Sequence, residues 1–158
     1  CLADTHRFSN RARAVGEAMS IGKTYKEAFQ KAIRSMETGR YGLGFAKNFN
    51  RLPLEDLMRL LSRPTSERQF IMYEAIRKGA DVAKLYELTH IKPWFIEQMK
   101  ELVHLEEELL KYRGKLPPDN LLEKAKKDGF SDRYLAQILG VPEGDIRRKR
   151  SAIRVVQA

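Results

Sequence analysis

Ser66-Glu-Arg-Gln-Phe-Ile-Met-Tyr-Glu-Ala-Ile-Arg-Lys-Gly79 decides the fold. Ser66 and Gln69 have capping-box spacing: the hydroxyl accepts from the third backbone N–H of the helix while the Gln side chain reaches back. Phe70, Ile71, Met72, Tyr73, Ala75 and Ile76 then spread apolar surface around much of the helix circumference before Arg77-Lys78-Gly79 ends it. A helix apolar around most of its girth belongs in the middle of a bundle.

Helices are predicted on both sides of it. Upstream, Pro53 opens a short helix carrying Leu54, Leu57, Met58, Leu60 and Leu61. Residues 39–51, with Gly39, Gly42 and Gly44 among aromatics, read as an irregular linker and mark the best domain boundary. Before it, Thr24 and Glu27 have capping-box spacing, and Tyr25, Ala28, Phe29, Ala32, Ile33 and Met36 form one apolar stripe ending at Gly39. Residues 1–22 lack helical periodicity, and Glu17 to Ile21 read as a short strand. A lone strand leaves its backbone groups unpaired, so its sheet is expected outside this chain.

Downstream, Asp81 is placed to cap a short helix through Val82, Leu85 and Leu88. The longest helix is expected from Pro93 to Tyr112, with Phe95, Met99, Leu102, Val103, Leu109 and Leu110 facing inward. Pro117-Pro118 closes it, Asn120 and Glu123 suggest a capping box for the next helix, and Ser131 begins another. Gly140-Val-Pro142 turns the chain into a basic helix over 143–153, anchored by Ile146 and Ile153. The expectation is an all-α chain: a multi-helix orthogonal bundle preceded by a short N-terminal extended segment, divided into 1–38 and 39–158.

Apolar residues make up 42% of the 158, enough for a packed core and too many for general disorder. The longest run free of charge, Tyr134 to Pro142, is nine residues, far short of the about 20 that span a bilayer. One cysteine, Cys1, excludes an internal disulfide framework and a thiolate-rich zinc site, and makes the cytoplasm the natural compartment. The first 25 residues show no secretory leader.

The net charge of +9 raises the question of nucleic acid. Most cations stand near acids, and the dense cluster is Arg147-Arg148-Lys149-Arg150, which also reads as a solvated helix face. Counting Asp132 as position one, Ala136 is fifth, Gly140 ninth and Ile146 fifteenth, the spacing of a helix-turn-helix. Any tight, near-right-angled helix pair demands the same pattern, so both readings stand on spacing alone.

Other motifs are weaker. Gly22-Lys23-Thr24 resembles the end of a phosphate-binding loop, but the position that needs glycine holds Glu17, which leaves a plain helix start. His6, His90 and His104 have no metal-ligand spacing. Glu106-Glu107-Glu108 reads as solvated helix surface, since adjacent helix positions do not share a face. No residue is therefore expected to be catalytic, cofactor-binding or metal-ligating.

Four segments together carry a resemblance to a known family. Ala14-Val-Gly-Glu-Ala-Met-Ser-Ile-Gly-Lys-Thr-Tyr-Lys-Glu-Ala-Phe-Gln-Lys-Ala-Ile-Arg-Ser-Met-Glu37, Glu74-Ala-Ile-Arg-Lys-Gly79, Leu88-Thr-His-Ile-Lys-Pro-Trp-Phe95, and Gly129-Phe-Ser-Asp132 with Ala136 and Arg147 to Arg150 stand in the order found in the large subunit of carbamoyl-phosphate synthetase. The chain resembles an internal piece of that subunit, the end of its first ATP-grasp half plus its helical connecting domain, with 40–65 least similar. It departs at Ala14, where the family usually has Ser, and at Lys92, where it usually has Asp; the second change removes an expected helix cap.

The resemblance implies that the extended segment is left over from an ATP-grasp domain. It implies that 39–158 is a non-catalytic connecting and oligomerization domain. The intact family enzyme, a ligase, makes carbamoyl phosphate from bicarbonate, glutamine-derived ammonia and two ATP, with Mg or Mn; this places it in arginine or pyrimidine biosynthesis. No nucleotide or metal ligand of the family maps onto residues 1–158. Expected partners are the rest of the large subunit, the small glutaminase subunit and a second copy, with no membrane and no nucleic acid. Leu54, Leu57, Met58 and Leu61 are the interface candidates, because a short helix so rich in apolar residues must bury them somewhere. The alternative is a DNA-binding regulator using residues 132–150, which the +9 charge permits.

Overall fold

The computed structural model describes residues 21–31, 49–65 and 67–157, all of them helix, turn or connecting loop. α1 covers 21–31. After a 3-10 turn at Phe49–Arg51 come α2 (Leu54–Leu61), α3 (Arg68–Arg77), α4 (Val82–Thr89), α5 (Pro93–Leu110), α6 (Asp119–Lys127), α7 (Asp132–Leu139) and α8 (Glu143–Gln157). Among the described residues the architecture is an all-α bundle.

α3 and α5 form its centre. α3 packs on α2 and α5, α5 also meets α4 and α7, and α8 closes on α7 and α6. Every residue of α3 from Phe70 to Ile76 is buried, which is the packing its girdle of apolar residues demands. Burying side chains such as Met72, Ile96, Met99, Leu102 and Leu109 stabilises the fold by about 1.5–3 kcal/mol apiece.

The C-terminal carbonyls of three helices are bonded by arginines from other elements, which answers the orphan acceptors every helix end leaves. Arg68 donates to the carbonyls of Leu61 (3.5 Å) and Leu88 (3.3 Å), tying the ends of α2 and α4 to the start of α3. Arg113 donates to Ile138 (2.8 Å) and Gln137 (3.3 Å) at the end of α7, and the Gly114 N–H reaches the Leu139 carbonyl (2.6 Å). A cation at a helix C-terminus also meets the negative end of its dipole.

Several expectations need correction. Ile21 and Thr24 lie inside α1, so Thr24 is not its cap, and Ile21 is helical rather than the end of a strand. The rest of that strand, residues 17–20, and linker residues 39–48 lie outside the described residues, as does Ser66 of the opening capping box. α5 ends at Leu110, not Tyr112; Phe95 is half-buried and Leu110 exposed, while Ile96 and Leu105 take the inward positions. α6 starts at Asp119 behind Pro118, and the Asn120 side chain accepts only from Leu121 N–H at 2.9 Å. Asp81 precedes α4 without a side-chain cap bond. Ser131, by contrast, accepts from Tyr134 N–H at 3.0 Å, and Gly140 turns α7 into α8 at φ +67°.

Candidate functional site

The strongest concentration of charge in the interior lies between α3 and α5. Tyr73 and Arg77 stand one turn apart on α3 and both reach Glu106 of α5. The Tyr73 hydroxyl donates to Glu106 Oε2 at 2.7 Å, and Arg77 Nη2 pairs with Oε1. Arg77 Nε lies 3.6 Å from Glu74 Oε1. Glu74 and Glu106 are each 1% exposed. Burial drives the Tyr73 and Tyr134 hydroxyls well above the ordinary tyrosine range. Burial also raises the Glu74 carboxyl, with Arg77 and Lys78 opposing it, and neither Glu74 oxygen accepts a hydrogen bond.

This arrangement holds helices together; it offers no open face to a substrate. Both Glu106 oxygens are engaged from α3, and the desolvated acid is compensated by a guanidinium and a phenol, as a buried charge requires. Glu106 was expected on the solvated surface, and that is a correction. The missed signal is its register: three and seven residues beyond Val103 and Met99, it falls on the apolar stripe, whereas Glu107 and Glu108 are exposed. Arg77 and Glu74 belong to the Glu74-to-Gly79 signature, so that signature marks a buried polar joint.

A second joint holds α1 on the bundle. Phe29 enters the core against Phe70 (6.0 Å between ring centres) and Tyr73 (5.9 Å), and Tyr25 meets Phe95 (5.2 Å) and Trp94 (6.4 Å). Lys26 pairs with Glu101 and lies 3.8 Å from Asp128; Gln30 donates to the Asp128 carbonyl at 2.6 Å. Burial raises the Asp128 carboxyl, with Lys26 opposing. Gly22 and Lys23 are helical, with Gly22 lying against the Gln98 and Trp94 side chains of α5, so this glycine shapes no phosphate loop.

The basic cluster is divided among separate partners. Arg147 pairs with Glu143 (3.1 Å) and Arg148 with Asp145. Lys149 lies 3.4 Å from Asp119 and donates to the Pro117 carbonyl, and Arg150 pairs with Asp132. The pattern of Asp132, Ala136, Gly140 and Ile146 builds a tight α7–α8 corner, with Ile146 fully buried and the Gly140 N–H bonded to the Ala136 carbonyl at 2.8 Å.

The four interface candidates on α2 split by depth. Leu57 and Leu61 are fully buried in the core, whereas Leu54 and Met58, one turn apart, are half-exposed; Leu60 beside them is 38% exposed. Among the described residues, no group of three or more His, Cys, Asp or Glu side chains is placed to hold a metal. His90 and His104 are exposed, and His6 lies outside the described residues. No described helix is long and apolar enough to cross a membrane.

Residues 17–154 match the family model of the carbamoyl-phosphate synthetase large chain, oligomerisation domain. The carbamoyl phosphate synthase large chain of Archaeoglobus fulgidus is 42% identical over 155 residues, covering 94% of this chain and 14% of that protein. The N-terminal section of the large chain from Aquifex aeolicus is 42% identical over 146 residues, covering 91% of this chain and 25% of that protein. That from Methanopyrus kandleri is 36% identical over 155 residues, covering 90% and 28%. The chain thus spans less than a third of each of these relatives. None of these matches is a DNA-binding regulator, and Arg147, Arg148, Lys149 and Arg150 each hold a carboxylate of the fold. Most of the helical architecture and of the signature segments falls within the matched stretch 17–154, and the chain belongs to the oligomerisation-domain family of carbamoyl-phosphate synthetase large chains.

Proposed function

We propose that this chain is a connecting and self-association module with no catalytic role of its own, working within a carbamoyl-phosphate synthetase. The whole enzyme makes carbamoyl phosphate from bicarbonate, glutamine-derived ammonia and two ATP with Mg or Mn, and supplies arginine or pyrimidine synthesis in the cytoplasm. Its nucleotide and metal ligands sit in other parts of the large chain, and the small glutaminase subunit is a further partner. Residues 1–38 lead from the preceding ATP-grasp half into the helical unit 39–158. The observation that carries the reading is the family match over 17–154 to a domain defined by oligomerisation. The buried Tyr73–Glu106–Arg77 joint supports it, because its charges are spent on rigidity.

In this reading the contact with a second copy is made on α2 by Leu54 and Met58, with Leu57 and Leu61 setting their position from beneath. Half-exposed apolar side chains one turn apart present a narrow stripe suited to a helix from a partner. Replacing both, Leu54→Glu with Met58→Glu, puts like charges on opposed surfaces. Light scattering is expected to show a lower mass for the double variant than for the parent at equal concentration. An unchanged mass removes α2 from the interface. ATP hydrolysis by the chain alone is expected to be silent.

A further inference from the structure

A groove of about 490 Å³ runs between α1, α6 and α8, away from the α2 surface. Five cations line it: Lys23 from α1, Lys126 and Lys127 from α6, Arg150 and Arg154 from α8. Only Glu27 and Glu123 oppose them in the lining. Ile153, 8% exposed, supplies a strip of apolar surface to its floor, with the fully buried Leu122 beneath.

The cations fall into two sets. Lys126 (3.1 Å) and Arg150 both pair with Asp132, so one carboxylate fixes two cations and leaves one positive charge uncompensated. Lys126 is fixed further by donating to the Phe130 carbonyl at 2.9 Å. Lys23, Lys127 and Arg154 are exposed and form no ion pair within 4 Å among the described residues. Arg154 stands one turn beyond Arg150 on the same face of α8. Preorganised cations beside free ones, around an apolar floor and within the volume of ordinary ligand sites, describe a receptor for a compact polyvalent anion. Guanidinium groups favour the planar, bidentate contacts that phosphate oxygens accept.

We infer that this groove binds the diphosphate group of a small molecule, with Lys23, Lys127 and Arg154 contacting the phosphates and Ile153 meeting the organic part. The test titrates the 158-residue chain with inorganic pyrophosphate at low ionic strength by calorimetry. Saturable binding at one site is expected. The pair Lys127→Glu and Arg154→Glu, both exposed, is expected to weaken it by at least about tenfold. An equal charge change elsewhere, Arg63→Glu with Lys84→Glu, is expected to weaken it less than about threefold. Circular dichroism checks that both variants are folded. A parallel titration with adenosine diphosphate separates the sources: tighter binding than pyrophosphate means a nucleotide-like ligand seated on the apolar floor, and equal binding means free phosphate. Absence of saturable heat, or equal loss in the two charge-reversed variants, overturns the site in favour of general attraction to a chain of charge +9.

Discussion

Glu74 and Glu106 sit at equal depth and face opposite fates. Glu106 has a phenol and a guanidinium on its two oxygens, so removing its charge takes from Arg77 its direct carboxylate partner across the α3–α5 joint and leaves it the longer contact with Glu74. Glu106→Gln is expected to cost about 3 kcal/mol in urea unfolding, the scale for breaking a buried pair from one side. Glu74 accepts no hydrogen bond, and a buried polar group left unsatisfied costs about 1–3 kcal/mol. Its folded pKa is raised, by burial above all, over its ordinary value of 4.5. The folded state therefore binds the proton more tightly than the unfolded state, and the stability linked to Glu74 is fully present below 4.5 and lost as pH rises through the folded pKa. Glu74→Met, close in volume, removes that penalty. The variant is expected to be more stable than the parent at pH 7 and to lose its advantage as the pH falls toward 4.5, followed by urea unfolding across that range. An advantage constant with pH assigns the effect to packing instead of charge.

Helices are legible where one residue type sets them, and their ends only where a cap or a turn residue acts without a competitor. The girdle of apolar residues in α3 has no other home than a bundle centre, and Ser131 and Gly140 declare the ends of α7 by their own chemistry. Asn120 and Thr24 carry the same chemistry at the wrong place: Pro118 starts α6 before Asn120. α1 is already helical at Ile21, ahead of Thr24. Local capping signals compete with neighbours, and spacing alone does not say which wins. Lys92 is the informative case. It occupies the N-cap of α5 at ψ 138° and makes no side-chain cap bond, so the first N–H groups of the longest helix lack the acceptor that Asp would bring. Lys92→Asp is expected to raise stability by about 1 kcal/mol, through the cap bond and the favourable charge at the positive end of the helix. Thermal unfolding measures it, and Lys92→Ala separates the gain of the acceptor from the mere loss of a cation.

At the scale of the whole molecule, α1, upstream of the boundary expected at residue 38, packs on the helices downstream of it. Phe29 shares the core with Phe70 and Tyr73, while Lys26 and Gln30 grip α5 and the end of α6. No periodicity in α1 announces where its stripe will land, because docking depends on partners 98 residues away and more. One residue nevertheless records the contact. Gly129 has φ +93°, and a Cβ there would lie 3.1 Å from the Glu27 Cα, in the backbone of α1. Only glycine satisfies both demands at once: the left-handed turn after α6 and the close approach of another helix. Its place in the Gly129-to-Asp132 signature thus has a physical reason, and the signature at the far end of the chain serves the helix near its start. Gly129→Ala strains the turn and pushes on α1, so the cost is expected to exceed about 1 kcal/mol. The loss is expected to be uneven. Hydrogen exchange should show amides of α1 losing protection by a larger factor than those of α3, since α1 is held at its edge by this contact and α3 is surrounded. Equal loss across both helices means that α1 opens only when the whole bundle unfolds, and the two segments are then one cooperative unit.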